Sequence, residues 1–437
     1  MCSLPPADRQ RATGPASRAF IFSNLAGATT GDPRPGRGPD QRAQRAARQA
    51  MTGQKSQRAL WVLLFGNLII GTGVLLPAGM LTAFMSELSI PASRAGLMMT
   101  VGGLVVGFGA PLLAASTSHI DRRLLLVAAL VCYVVGHAAA AVTQDFRLLL
   151  ALRALTVAGA AIFTPQAAAT VGLLVSPERR GSAIAFIFIG WSLASVLGIP
   201  AGTVLGSIIG WRATFLLMAG LSGIGAIMVW MVLPAGLRVV PLQLSSWLRV
   251  LGDLRLMTVL AVTMFAMSGQ FVLFTYISPI LSGVYGLDPQ HIALLLMFGG
   301  VAGVLGSMAA ARFAATLGQE RCIFWALVML AAGVALVWIG WGDIRAFIPA
   351  MLMWQFGGFP ANSLQQGRLV SLAPPLASAT VALNTSFVYL GQSVGSATGG
   401  LLVTNGPTPD QALAAVAFII VSIALSHIAT LIRSKPA

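Results

Sequence analysis

From Leu60 to the C-terminus, long apolar runs alternate with short polar connectors. The runs approach the roughly 20 apolar residues that a helix needs to cross the hydrocarbon core of a bilayer. They predict spans over 60–84, 95–117, 124–142, 147–174, 182–206, 211–233, 256–283, 291–311, 322–340, 346–367, 379–403 and 410–431. Every second connector is basic: His119 to Arg123, Pro177 to Arg180, Arg238 to Arg255, Arg312 to Arg321, Arg368, and the tail with Arg433 and Lys435. The connectors between them, around Glu87, Asp145, Asp288, Asp343 and Asp410, are sparse and lean acidic. Lys and Arg are retained on the cytoplasmic side of a membrane. An even number of spans with both termini cytoplasmic satisfies this pattern. The expected fold is an all-α membrane protein of twelve transmembrane helices.

The spans fall into two related sets of six. The segment closing the fourth, Pro165 to Ser176, matches the one closing the tenth, Pro360 to Ser371. The proline, a glycine (Gly172, Gly367) and the final Leu-Val-Ser hold the same offsets. Gly102, Gly103 and Gly109 in the second span recur as Gly299, Gly300 and Gly306 in the eighth. Such duplication marks pseudo-symmetric transporters. The expected organisation is a disordered basic tail over 1–57, either dispensable or preceding a true start at Met51. A six-helix bundle over 58–233 follows, then a Pro-, Gly- and Arg-bearing cytoplasmic linker over 234–255. A second six-helix bundle with a short tail covers 256–437.

Composition narrows the class. The chain is 57% hydrophobic and 9% charged, against about 25% charged in soluble domains, which excludes a water-soluble globular protein. Its 48 glycines suit close helix packing in lipid. The net charge of +15 invites a nucleic-acid partner, but the excess lies in the first 58 residues and in the basic connectors. No soluble basic domain with stacking aromatics accompanies it, so nucleic acid is excluded. Cys2, Cys132 and Cys322 have neither a disulfide framework nor metal-ligand spacing. The glycine runs follow no strand and are not dinucleotide loops. No enzyme activity, metal or cofactor is expected; the partners are a bilayer and a small molecule, and the default state is a monomer.

Glycines recur every fourth residue in four spans: Gly198, Gly202 and Gly206; Gly391, Gly395 and Gly399; Gly103 and Gly107; Gly299 and Gly303. That spacing keeps them on one helix face, where another backbone can approach. The faces read either as static packing or as sliding surfaces on which two halves rock. Further motifs are Gly71-Thr72 and Ala78 to Leu81 in span one, Gly109 to Leu113, Asp121-Arg122-Arg123, Arg153 with Gly159, Ser176 to Gly181, Gly198 to Thr203, Gly210 to Phe215, and Thr275 to Pro279. With these the chain resembles the major facilitator superfamily over about residues 60–432. Within it, the chain is similar to the twelve-helix drug:proton antiporters close to the arabinose-efflux-permease group. The resemblance implies two pseudo-symmetric six-helix bundles, a bacterial inner-membrane location, and proton-coupled efflux of a small organic solute by alternating access. It also implies coupling or gating roles for Arg153, Asp121, Arg122, Arg123, Gly198, Pro200 and Gly202.

Two positions depart from the family. The loop after span two carries Ser118, His119, Asp121, Arg122 and Arg123 where an Asp-Arg pair and a Gly-Arg-Arg/Lys run are usual, so its latch is rebuilt or weaker. Where similar efflux proteins carry an acid in span one, this chain has Val74. All 12 Asp and Glu fall in the tail or in connectors, and the proton has no membrane carboxylate. Arg153 reads as a functional cation or as an arginine snorkelling outward; His137 and His427 read as packing or hydrogen-bonding residues. Since the family places spans one, four, seven and ten around a central cavity, the expected lining is Asn67, Thr72, Gln166, Gln270, Phe274, Tyr276, Trp354, Gln355, Asn362 and Gln365. Such a set suits an uncharged or weakly polar solute, a sugar, nucleoside or drug. The expected function is therefore solute export in exchange for protons. An uncoupled facilitator or uptake permease is the first alternative, and a transport-inactive sensor or assembly factor the second.

Overall fold

The computed structural model describes residues 39–117, 119–238, 244–403 and 406–432. Among them there is no strand. The long helices are α1 (Pro39–Gly79), α2 (Leu97–Ser116), α3 (Arg122–Val142), α4 (Phe146–Leu174), α5 (Arg180–Ile208) and α6 (Gly210–Val232). After the linker come α7 (Leu254–Phe274), α8 (Pro289–Leu317), α9 (Gln319–Ile339), α10 (Ile344–Leu372), α11 (Ala377–Leu402) and α12 (Asp410–Leu431). Each expected span has its helix, the first and seventh continuing past Gly79 and Phe274 into the short helices Leu81–Leu88 and Ile277–Gly283. Among the described residues, ten helical segments are long and apolar enough to cross a membrane. The other two, α10 and α11, are as long but carry Gln355, Asn362, Gln365 and Arg368, and Asn384, Gln392, Ser393 and Ser396. Of the expected tail, residues 1–38 lie outside the described residues, and α1 is helical from Pro39. Ser118 and the linker residues 239–243 also lie outside them.

Most connector aspartates have a local explanation. Asp121, Asp145, Asp253, Asp288 and Asp343 each precede a helix and accept backbone N–H bonds from its first turn. A carboxylate there satisfies donors that the helix leaves unpaired and complements its dipole. At Asp288, the backbone N–H of His291 and then its ring hold the carboxyl below the usual carboxylate range.

Within the first half α3 packs on α4 and α6, and α2 on α4; within the second, α9 packs on α10 and α12, and α8 on α10. The same pairing recurs six helices later, which is the structural form of the duplication. The halves meet where α2 crosses α11 and where α5 crosses α8. The linker helix, Leu244–Leu251, lays Trp247 and Val250 on Leu256, Leu260, Leu369 and Leu383 of the second half.

The glycine faces divide differently from a uniform rocking surface. A Cβ at Gly198 would lie 2.9 Å from Thr72 Oγ1, and one at Gly202 2.6 Å from Leu76 Cδ1, so the α5 face seats α1 inside the first half. Gly391, Gly395 and Gly399 face the carbonyls of Met264, Ser268 and Val272 on α7, inside the second half. Of the set, Gly299 and Gly303 face α10 within the second half, and only Gly103 and Gly107 lie between halves. A Cβ at Gly103 would lie 2.5 Å from Tyr389 O, and Gly107 faces Leu390; beside the set, a Cβ at Gly300 would lie 2.8 Å from Val196 Cα. The α5 and α11 faces thus seat helices of their own half. A four-residue period shows that a face is smooth, and it does not say which helix presses on it.

Candidate functional site

The first half is organised around a break in α1. Pro77 has no N–H, so the carbonyl of Gly73 one turn earlier loses its helical donor. The helix ends at Gly79, turns at Met80 and resumes over Leu81–Leu88. Arg153 of α4, 4% exposed, fills the gap. Its Nη1 donates to Gly73 O at 2.7 Å, its Nη2 to Val74 O at 2.7 Å, and its Nε to Met98 O of α2 at 3.3 Å. A planar guanidinium can reach carbonyls on two helices at once, which a lysine cannot. Arg153 is therefore held inside the bundle and does not snorkel. At Val74, the place of the expected acid, the backbone carbonyl meets the arginine.

Two neighbours complete the clasp. Tyr133 Oη donates to Ile70 O at 3.1 Å. His137, 2% exposed, lies with Nδ1 2.9 Å from Tyr133 O and its ring edge-on to Phe215. A Cβ at Gly73 would lie 3.2 Å from His137 Cε1 and 2.6 Å from Tyr133 Cε1, so only glycine admits both rings here.

Deeper in the first half Trp191 Nε1 donates to Thr164 Oγ1 (3.1 Å), Thr164 to Asn67 Oδ1 (3.1 Å), and Asn67 Nδ2 to Ile187 O (3.2 Å). The chain ties α1, α4 and α5, and consumes the amide of Asn67. Thr72 packs on Gly198, and Gln166 is buried on α4. Pro200 removes the donor for Val196 O, and the α5 backbone opens into a π turn at Ala194–Gly198, where α8 crosses.

The second half repeats the tie on α7, α10 and α11: Thr263 Oγ1 donates to Asn384 Oδ1 (2.8 Å) and Asn384 Nδ2 to Asn362 Oδ1 (2.9 Å). Beside it Thr263, Met267, Leu327, Asn362 and Gln365 line a narrow cleft. Here the polar groups are left open. Gln270 Oε1, Trp354 Nε1, Gln355 Oε1 and both amide atoms of Gln365 are buried without a hydrogen-bond partner. Gln270 lies against Gly358 and Gln355 against Gly299, while Phe274 stands edge-on to Trp354 at 6.3 Å and to Phe271 at 5.5 Å. The structure thus brings Gln270, Phe274, Trp354 and Gln355 together on α7 and α10, and sets Asn67 and Thr72 apart in the first half.

A third region joins the halves at the face away from the linker, called distal below. Gln392 Nε2 donates to Met99 O (3.3 Å), Ser393 Oγ to Thr100 O (2.8 Å), Ser396 Oγ to Gly96 O (3.2 Å) and Ser278 Oγ to Gly79 O (3.2 Å). Tyr276 belongs to this seal: it is fully buried, donates to Ser396 O at 2.9 Å and covers Gly96. The sequence reading missed Gln392, Ser393, Ser396 and Ser278. Their signal is a small polar stripe at 392, 393 and 396 alongside a glycine face.

Asp121 caps α3 and also accepts from the Gly236 N–H, Arg122 N donates to Leu237 O at 2.9 Å, and Arg123 stacks 3.9 Å over Trp230. These residues fasten the α2–α3 loop to the end of α6 and the start of the linker. In the second half Arg368, 2% exposed, reaches Glu320 at 2.8 Å and Ser426 at 3.2 Å.

Known proteins resemble this chain in sequence and in fold. A family profile described as Major Facilitator Superfamily matches residues 63–399. The inner membrane transport protein YdhP of Escherichia coli (strain K12) is 28% identical over 350 residues, covering 79% of this chain and 89% of that protein. A "Probable sugar efflux transporter" of Helicobacter pylori (strain ATCC 700392 / 26695) is 25% identical over 351 residues, covering 79% and 88%. Among solved structures, an inward-facing, occupied bacterial homolog of the human lysosomal transporter Spinster superposes with a TM-score of 0.69 at 14% identity, covering 86% of this chain and 98% of that one. The nucleoside transporter NupG gives 0.66 at 13% identity, covering 86% and 98%.

Proposed function

The chain belongs to the Major Facilitator Superfamily, and we propose that it is a secondary transporter exporting a small, uncharged, hydroxyl-bearing solute in exchange for protons. The observation carrying the substrate class is the set of open polar atoms on α7 and α10. An unpaired buried donor or acceptor costs about 1–3 kcal/mol. Two solute hydroxyls donate, one to the carbonyl of Gln270 and one to that of Gln355, and a solute oxygen accepts from the Trp354 indole, while Phe271 and Phe274 take up its apolar face. No acidic side chain stands by to hold a cationic drug. The sugar efflux relative supports a sugar; the nucleoside neighbour speaks for the fold alone.

Alternating access follows from the seal. Each of its four cross-half bonds contributes about 0.5–1.5 kcal/mol, a sum that solute and ion binding can offset. The distal face is closed, and opening it separates α2 from α11 and Ser278 from Gly79. The basic connectors support an inner-membrane orientation with both termini cytoplasmic, and a monomer suffices for the mechanism.

Counterflow of radiolabelled sugars and nucleosides in proteoliposomes tests the transport reading, and absence of counterflow for every solute contradicts it. A second reading, uncoupled facilitation, is favoured by the placement of all 12 acidic residues in the tail, connectors or helix ends. Solute-induced pH change in the same vesicles separates the two: proton movement with the solute supports exchange, and none supports facilitation.

A further inference from the structure

The proton of the exchange has no carboxylate to ride on. We propose that His137 is its binding group, and that protonation there releases Arg153 from the break in α1 and loosens the distal seal. This rests on the proton-exchange reading above.

Imidazole is the side chain whose ordinary titration falls between pH 5 and 8. Of the four histidines, His119, His291 and His427 are exposed and His137 is buried. Its Nδ1 faces the carbonyl of Tyr133. A carbonyl only accepts, so Nδ1 carries the hydrogen and the lone pair sits on Nε2. An added proton forms an N–H bond at Nε2 and no other bond changes.

The surroundings give that proton leverage. His137 faces Gly73 on α1, Phe215 on α6 and Tyr133 on its own helix; α4 contributes Arg153, whose charge acts on the ring, and Tyr389 of the other half acts on Arg153 in turn. No carboxylate stands among them. An imidazolium and a guanidinium in one dry pocket repel strongly. Arg153 is the long side chain that can move away, and its three carbonyl bonds are what it gives up.

Those bonds lie next to the seal. Arg153 holds Gly73 O and Val74 O on the helix that ends at Gly79, the acceptor of Ser278. It also holds Met98 O, beside the carbonyls of Met99 and Thr100 that receive Gln392 and Ser393. One side chain thus steadies both helices that the second half grips. A proton on His137 favours the state in which that grip is released; reseating Arg153 expels the proton.

The test reads the distal face directly, without a solute. Spin labels are placed at Ser86→Cys and Gln290→Cys, exposed distal positions on the two halves, in a chain with Cys2, Cys132 and Cys322 replaced. Distances are measured in lipid nanodiscs from pH 8 to pH 5. The expected result is a distal widening on acidification, lost in His137→Gln and retained in His119→Gln. No widening in the parent chain, or equal widening in His137→Gln, overturns the proposal. Because the parent chain alone can refute it, a misfolded variant does not shelter it. Solute counterflow, measured separately, shows whether the transport reading has failed instead.

Discussion

The two halves share a helix pairing but differ in how the polar groups on their central helices are paired. In the first, Arg153, Tyr133, Asn67, Thr164 and Trp191 spend their donors on backbone carbonyls and on each other. In the second, Gln270, Trp354, Gln355 and Gln365 keep atoms unpaired. We propose that the duplicated scaffold is divided into a half that holds and switches and a half that is left open to bind. The division lies in side chains alone, since the tie among α1, α4 and α5 has its counterpart among α7, α10 and α11.

The largest expected effect breaks the holding half. Arg153→Ala leaves the carbonyl of Gly73, which Pro77 has already deprived of its helical donor, unpaired at about 1–3 kcal/mol, and removes the ties to Val74 and Met98. Solute counterflow should fall by about 100-fold or more, and Arg153→Lys should not restore it. Wild-type counterflow in either variant would show that the clasp is incidental. The next effect sharpens the link to the proline. Pro77→Ala supplies the missing N–H, so Arg153→Ala should cost less in that background, by a coupling of about 1–3 kcal/mol. Melting temperatures of the four proteins read the coupling, and additivity within about 0.5 kcal/mol would separate Pro77 from Arg153. The smallest effect concerns the boundary between halves. Ser393→Ala or Ser396→Ala should shift the distal equilibrium toward open by about 0.5–1.5 kcal/mol, seen as a larger wide-distance population between labels at Ser86 and Gln290. An unchanged distribution would mean that the glycine contacts alone hold the seal.

Much of this was legible in the sequence. Twelve spans stood out because lipid demands long apolar runs, and the second half's open residues stood out because Gln and Trp are conspicuous there. Arg153 was legible as a buried cation, but its partners were not, because a backbone carbonyl has no letter of its own. The same reason hid the seal: Ser393 and Ser396 donate to backbone, and serine in a helix is common. Asn67 and Asn362 looked alike in sequence. Both are in fact tied, by Thr164 and Asn384, which arrive from other helices. The glycine faces of α5 and α11 looked like sliding surfaces until their occupants, α1 and α7, were seen.

The division between a holding and a binding half is tested most directly by thermal melting of two single variants, Asn67→Leu and Gln355→Leu, with and without sugars. The account predicts that Asn67→Leu lowers the melting temperature, because Thr164 and Ile187 O lose their partner. Gln355→Leu should leave the unliganded protein as stable or more so, because it removes an unpaired carbonyl, and should abolish the rise in melting temperature given by a bound sugar. A destabilised Gln355→Leu protein that still responds to sugar as the parent does would contradict the assignment of that half to binding.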